Sequence, residues 1–398
     1  MIMKRHIFAV LAVSISLSLC ACSSSKDEKA LSTPTSEAIG QSQPTQTAEG
    51  TTAENEPQDA PPAPGMVRSR ITNEWVSQEQ NDTRPIALMV PNSSTASHYG
   101  LSKASVLYEA NVEGEMTRLM AVIDDWQDDP KLGNIRSCRD YFLYWSFEWD
   151  SIYIHYGGPW YIYDVLGRQD TDNIDCIAQP DVGKYNNAYV DVIYRDSAKN
   201  ETDNAFTSGK QIKEACDHLG ISLKYRDGYC DYDHFKFAPF DAPNTLEQYP
   251  DAISAEKIDL SDAYPNTNTY FIYNEETETY DRFQRFPKGT DEPHMDLANN
   301  EQLTFKNVII QNTYYEVRDE LGYLAFQCHD TTRDGWYFTN GKAIHVTWKK
   351  EADYSPTKYY DDNGEQVEFN TGKTMILIVE DGDTFSIDGK EYSGKKNK

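Results

Sequence analysis

Aromatic residues are distributed unevenly along this chain of 398 residues, and their distribution limits where the chain can fold. The stretch from Ser23 to Glu74 contains no Phe, Trp or Tyr and is rich in Ser, Thr, Pro, Gln and Glu. Such a stretch offers too little apolar surface to offset the entropy that is lost on ordering. We therefore predict a disordered tether over residues 22–80 and folded structure between residues 81 and 390.

A short apolar run precedes the tether. Two basic residues are followed by Ile7 to Leu19, in which every residue is apolar or Ser. A membrane-spanning helix needs about 20 apolar residues, so this run suits a signal peptide better. The next residues, Leu19-Cys20-Ala21-Cys22, resemble the lipobox of bacterial lipoproteins. They predict a signal peptide over 1–21 and lipidation of Cys22, for example with palmitate, which would anchor the protein to the extracytoplasmic face of the cell membrane.

Charge excludes one class of partner. The chain carries 64 acidic and 37 basic residues, for a formal net charge of −27. A protein with this large negative charge repels the phosphates of nucleic acids, so we predict no binding to nucleic acid. The 27 Tyr residues nonetheless argue against a chain that is disordered throughout.

Apolar blocks bounded by Gly, Pro, Asn and Asp predict the elements of the folded part. In the first half they predict strands over 84–90, 104–112, 116–124 and 150–156, with helices over 141–148 and 208–219. The second half is dominated by strand-like blocks, namely YFIY, NVIIQ, AIHVTW and MILIVE. We therefore predict an α+β fold. It consists of a mixed-sheet N-terminal domain with helices over 81–239, a Pro- and Asp-rich connector over 240–268, and a smaller, mainly-β C-terminal domain over 269–390.

Candidate chemistry concentrates between residues 108 and 158. Side chains alternate across a strand, so Glu109 and Glu113 should share one face, where unpaired charge is costly. His155 ends a predicted strand beside Gly157 and Gly158, where a ligand can approach the backbone closely. These residues are the candidate catalytic groups, with Glu109 or Glu113 as general acid or base.

Arginines lie close to these groups in the sequence. Arg118 follows a short turn, and Arg136 and Arg139 come just before a predicted helix. Guanidinium groups near a helix N-terminus suit an anion such as a carboxylate or phosphate. An equally good interpretation of the whole cluster is a buried Glu–Arg network that orients the sheet, with His155 as a core imidazole whose partners are satisfied.

Cysteines and metal ligands add little. Cys216 and Cys230 either form a disulfide or remain reduced in the core. The sequence has no His-x-x-x-His, no calcium-loop pattern and no Cys pair at ligand spacing, so we predict neither a metal nor a cofactor.

Several blocks resemble a known family. RPIALMVPN, GLSKASVLYEANVEGEMTRLMAVI and GNIRSCRDYFLYWSFEWDSIYIHYGG are similar to the first domain of the YerB-like bacterial lipoproteins, known as domain of unknown function 3048. TYDRFQRF, LTFKNVIIQ, GWYFTNGKAIHVTWKK and NGEQVEFNTGKTMILIV are similar to the C-terminal domain of that family. The resemblance implies an exported, lipid-anchored protein with two folded parts and no established activity.

The resemblance also marks individual positions. It places family motif residues at Glu109, Glu113, Arg118, Arg136, Arg139 and His155. The family commonly has a His-Asn pair before an aromatic-Thr step, where this chain has Asp203 and Asn204. Asn204 is therefore a candidate ligand-binding residue, and Asp203 would change any chemistry that used the histidine.

Two functions follow from the sequence. The first is a binding lipoprotein of the cell envelope that holds an anionic wall, peptide or small-molecule ligand. The alternative is a hydrolase or transferase that acts on an envelope polymer through a Glu acid or base. The sequence decides neither catalysis nor oligomeric state.

Overall fold

The computed structural model describes residues 59–178, 187–229 and 234–394, with the side chain of Thr331 excepted. The predicted signal peptide, Cys22 and most of the predicted tether lie outside these residues. Cys230 lies outside them too, so its pairing with Cys216 stays a prediction.

The described residues form four α-helices, five short 3₁₀ turns and 29 strands. The helices are α1 Gln78–Asp82, α2 Asp140–Phe147, α3 Tyr163–Leu166 and α4 Gly209–Leu219. The 3₁₀ turns are Leu101–Lys103, Glu113–Glu115, Trp160–Ile162, Val190–Val192 and Glu201–Asp203. Strands of the first half are β1 Met66–Arg68, β2 Trp75–Ser77, β3 Ile86–Asn92, β4 Val106–Asn111, β5 Thr117–Ile123, β6 Leu132–Gly133, β7 Ile152–His155, β8 Asn173–Asp175, β9 Tyr194–Arg195, β10 Ala205–Thr207 and β11 Lys236–Phe237. The remaining strands are β12 Ile253–Ser254, β13 Lys257–Asp259, β14 Tyr270–Asn274, β15 Thr279–Gln284, β16 Glu292–Pro293, β17 Met295–Asp296, β18 Glu301–Gln302, β19 Thr304–Phe305, β20 Asn307–Thr313, β21 Tyr315–Val317, β22 Leu324–Phe326, β23 Asp330–Thr339, β24 Lys342–Lys350, β25 Lys358–Tyr360, β26 Glu368–Phe369, β27 Thr374–Glu380, β28 Thr384–Ile387 and β29 Lys390–Ser393.

One sheet of eleven strands contains elements from both halves of the chain. Its order is β12-β24-β23-β20-β27-β4-β5-β3-β7-β8, with β25 beside β24. The strand β27 pairs in parallel with β20 on one side and with β4 on the other. The strand β5 lies antiparallel between β4 and β3. The predicted N-terminal and C-terminal domains therefore share one sheet.

Both faces of this sheet are buried. On β3, Ile86, Leu88 and Val90 face one core, whereas Ala87 and Met89 face the other. The strands β3, β5, β20 and β27 are buried along their whole length. Covering on two faces explains why these strands appear in the sequence as continuous apolar runs without alternation.

A second sheet packs against the first. It has seven strands in the order β16-β15-β14-β13-β28-β29, with β19 beside β15. Its Phe271 and Phe385 belong to the same apolar core as Leu107 and Leu377 of the main sheet. Residues 240–268, predicted as a connector, supply β12 to the main sheet and β13 to this one.

Ordered structure begins earlier than predicted. The strands β1 and β2 pair antiparallel, and α1 follows directly. Ile71 between the strands is buried, and the guanidinium carbon of Arg68 lies 4.1 Å from the centre of the Trp75 ring. The predicted limit of the tether at residue 80 is therefore wrong, because a single buried Ile and a stacked Arg–Trp pair anchor a segment that is poor in aromatic residues.

Helices are few. The helix α4 matches its prediction. Ser208 caps it, because its side-chain oxygen accepts from the backbone N–H of Gln211, and Gly220 ends it in the left-handed conformation at φ 71°. Strands make up 38% and helices 13%, so the α+β prediction is confirmed only in its coarse form. None of the helices in the described ranges is long and apolar enough to cross a bilayer.

Candidate functional site

Two of the predicted arginines line one small pocket. Arg118 on β5 and Arg136 in the loop before α2 contribute to a cavity of about 190 Å³. Its buried floor includes Asn92 and Thr117, which face each other across β3 and β5. Three exposed residues lie at its mouth, namely Thr95, Met116 and Thr202. We call this cavity the arginine pocket.

Glu113 and Arg139 form an ion pair beside the arginine pocket. Arg139 Nε donates to Glu113 Oε2 at 3.0 Å, and Nη2 donates to Oε1. Glu113 lies in the turn after β4 and not in the strand, because Gly114 and Glu115 have φ of 73° and 58°. Burial by itself would raise the pKa of Glu113, but the hydrogen bond and charge of Arg139, with Arg118, lower it. Glu113 is therefore suited to be a counter-ion and poorly suited to be a general acid.

Arg118 and Arg136 are less well compensated. Arg118 Nη1 donates to Ser137 O at 2.6 Å, whereas its Nη2 lies 3.9 Å from Glu113 Oε1. Burial, the charge of Arg139 and the weaker effect of Arg136 lower the pKa of Arg118 to about 10, although Glu113 opposes them. Arg136 Nη1 donates to a backbone carbonyl, and Arg136 has no carboxylate within 4.0 Å in the described part of the chain. An anion in the arginine pocket would therefore gain unshared positive charge.

Glu109 lies behind the arginine pocket and is fully buried. Its Oε2 accepts from Arg282 Nη2 at 2.7 Å, and neither side chain of this pair is exposed. Its Oε1 accepts from Asn92 Nδ2 at 2.8 Å and from Thr117 Oγ1 at 2.7 Å. Glu109 thus orients the floor of the pocket. This geometry supports the structural interpretation of Glu109 and offers no solvent path for an acid or base.

A chain of buried hydrogen bonds continues from Arg282. Arginine can only donate, so His294 Nδ1 accepts from Arg282 Nη1 and carries no proton. His294 then donates from Nε2 to His98 Nδ1 at 2.6 Å, and His98 donates from Nε2 to Pro91 O at 2.8 Å. Each imidazole therefore carries one proton, and the direction of the whole chain is fixed by the guanidinium. We call this chain the histidine relay.

His155 is also fully buried and lies apart from the arginine pocket. Its Nδ1 faces the Gly157 carbonyl at 3.0 Å, and its Nε2 faces Asn173 Oδ1 at 3.3 Å. The orientation of the Asn173 amide is fixed, because its Nδ2 donates to two backbone carbonyls. Burial would lower the pKa of His155, but Cys138 and Asp175 raise it to about 10. A carbonyl oxygen faces each nitrogen of this buried ring, so His155 is poorly placed to serve as a general base.

Comparison with known proteins gives the family. Residues 71–222 match the N-terminal domain, and residues 258–376 the C-terminal domain, of the family described as protein of unknown function (DUF3048). Together the two matches cover more than half of the chain. The chain belongs to the DUF3048 family. The resemblance seen in the sequence is thereby confirmed.

One relative of this DUF3048 protein occurs in Bacillus subtilis (strain 168). That relative, YerB, whose name describes a candidate lipoprotein, is 25% identical over 323 residues, which cover 81% of this chain and 88% of YerB. The crystal structure of YerB from Bacillus subtilis matches with a TM-score of 0.63 and 22% identity, over 79% of this chain and 96% of the other. At this identity the structural match shows the shared fold.

Two neighbouring residues of the first DUF3048 segment have different surroundings. Asn204, predicted to bind a ligand, accepts from Arg195 Nη1 through Oδ1 and does not line the arginine pocket. Asp203 does line it, and its Oδ2 accepts from Thr95 Oγ1. Of the predicted ligand residues, the pocket therefore brings together Arg118 and Arg136, with Arg139 behind them and Asn204 outside.

The two DUF3048 segments meet at the Glu109–Arg282 pair, which sequence reasoning missed. The two residues are 173 positions apart, so no local pattern connects them. One signal was available. Arg282 is two residues after Tyr280 on β15, so both side chains lie on the same face of the strand, and both are buried. A charged residue on the apolar face of a strand indicates a buried partner.

Proposed function

We propose that this DUF3048 protein is a lipid-anchored binding protein of the extracytoplasmic face, and that the arginine pocket binds a small anion. The anchor is supported by the lipobox-like residues before Cys22 and by the name of the relative YerB. Lipidation at Cys22 would leave the folded part outside the membrane on its tether.

The observation that carries the binding proposal is the imbalance of charge at the pocket. Three guanidinium groups lie near two carboxylates, of which Glu113 is paired with Arg139. The other, Asp203, forms no ion pair within 4.0 Å with any of the three arginines in the described residues. Burial of Arg118 strengthens its interaction with any anion that reaches it, since water screens the charge less. Cavities of about 520 and 590 Å³ elsewhere in the described structure contain none of the predicted site residues.

The same geometry favours binding over catalysis. Glu109 and His155 are both fully buried, and Glu113 is held as a counter-ion by Arg139. A cavity of about 190 Å³ also accepts only a small molecule or the end group of a polymer, not a polymer chain.

Calorimetric titration of the full chain in detergent tests this function. The probes are propionate and inorganic phosphate, and the variants are R136Q and the control R285Q, whose arginine is about half exposed and outside the pocket. We expect saturable binding of at least one probe, weakened about tenfold or more by R136Q and unchanged by R285Q, because a charge-assisted hydrogen bond is lost. Absence of binding, or binding that is indifferent to R136Q, would overturn the proposal.

A further inference from the structure

The arginine pocket contains an acceptor that a simple anion leaves unused. Asn92 is only 4% exposed, and its Nδ2 donates to both Glu109 and Thr117. Because the Glu109 carboxylate, paired with Arg282, can only accept, the amide nitrogen of Asn92 must face it and the amide oxygen must face away. Asn92 Oδ1 is buried, and no described residue donates to it. A buried acceptor without a donor is costly, so this atom points to a donor on a ligand.

A carboxylate lines the same pocket. Asp203 is buried, and its Oδ2 accepts a hydrogen bond from the Thr95 hydroxyl. Within the described part of the chain, Asp203 forms no ion pair within 4.0 Å with Arg118 or Arg136. Opposite charges that share a cavity of about 190 Å³ are thus held apart and do not neutralise each other.

This arrangement matches a molecule that carries both charges. A carboxylate would bind the guanidinium groups of Arg118 and Arg136, and an ammonium, with three donors, would satisfy Asn92 Oδ1 and Asp203. We propose that the arginine pocket recognises the zwitterionic head of a free α-amino acid. This inference rests on the proposed function and names its ligand class.

Size restricts the side chain of that ligand. The cavity of about 190 Å³ is much smaller than the cavities of about 520 and 590 Å³ elsewhere in the described structure, so it limits the ligand to a small molecule. Glycine, alanine and serine meet this limit, whereas an aromatic amino acid would have to extend past the exposed rim at Thr95 and Met116.

A series of matched ligands tests the inference on the unmodified full chain. Alanine, as either enantiomer, carries both charges, propionate carries the carboxylate alone, and alanine methyl ester carries the ammonium alone. Titration calorimetry should show that at least one enantiomer of alanine binds about tenfold or more tightly than propionate and the ester, because each lacks one charge-assisted interaction. Equal affinity for alanine and propionate would overturn the inference.

Variants separate this inference from the proposed function. D203N should remove most of the advantage of alanine over propionate without weakening propionate, and the exposed control D128N should change neither. R136Q should weaken both ligands. Binding of propionate that depends on Arg136, without any gain for alanine, would refute the amino acid and keep the anion. Failure of every ligand to respond to R136Q would refute both proposals. The wild-type ligand series still decides the question if D203N does not fold.

Discussion

The histidine relay makes the folded state sensitive to acid through one residue. Burial lowers the pKa of His98 from 6.5 to about 4, and the charge of Arg282 adds to this shift. The hydrogen bond to the Pro91 carbonyl and the charges of Asp296 and Asp203 oppose it. Between pH 6.5 and about 4, the unfolded chain therefore binds a proton at His98 that the folded chain does not bind. The stabilising contribution is fully present above pH 6.5 and is lost as the pH falls towards 4.

The geometry gives both the reason and the magnitude. A proton on His98 Nδ1 would face the proton that His294 carries on Nε2, across a distance of 2.6 Å. The drop from 6.5 to about 4 corresponds to about 3 kcal/mol, at about 1.36 kcal/mol per pH unit. This contribution is a large part of the stability of an ordinary domain.

Urea unfolding at several pH values between about 7 and 4 measures the effect. H98N keeps an acceptor for His294 and removes the titrating ring, so its stability should fall less steeply with pH than that of the wild type, by up to about 3 kcal/mol over this range. H218N, which changes an exposed histidine on α4, should retain the wild-type slope. Parallel curves for wild type and H98N would show that the relay does not exclude the proton.

Three further predictions concern the buried groups. E109Q leaves Arg282 buried without its counter-charge and should cost about 3–5 kcal/mol in urea unfolding, well above the cost of the partly exposed E113Q; equal costs would contradict the assigned burial. The pKa of His155 is raised to about 10, so protonated His155 stabilises the fold fully below pH 6.5 and loses that effect as the pH rises through 10. H155Q should therefore reduce the loss of stability between pH 7 and about 10, and an unchanged alkaline slope would argue against the raised pKa. G158A places a Cβ 2.5 Å from Cys138 Sγ and should cost about 1–3 kcal/mol, whereas the double variant with C138A should recover most of that loss; no recovery would place the clash elsewhere.

Local patterns predicted the elements well. The strands β4 and β5 and the capped helix α4 follow from apolar runs, turn residues and cap residues that lie close together in the sequence. The strand β3 continues past its predicted end at residue 90 to Asn92, because Asn92 pairs with Thr117 in the sheet.

Long-range pairing could not be predicted in this way. His98 and His294 are 196 residues apart, and the pairing of β4 with β27 joins distant parts of the chain. The sequence indicated that charge gathers around Glu109 and Arg118. It could not show which carboxylate is buried beneath the sheet edge and which faces the pocket, since that depends on Arg282 from the other family segment.

The position of β27 sets an order of events during folding. This strand fills the gap between β4 and β20, yet it comes more than 260 residues after β4 in the chain. Until β27 is in place, β4 and β20 each present an open edge, and open edges invite association with other chains. The sheet can therefore close only once residues 374–380 are available, and a chain that stops before residue 374 would leave β4 in the first half, as well as β20 in the second, without one of its neighbouring strands.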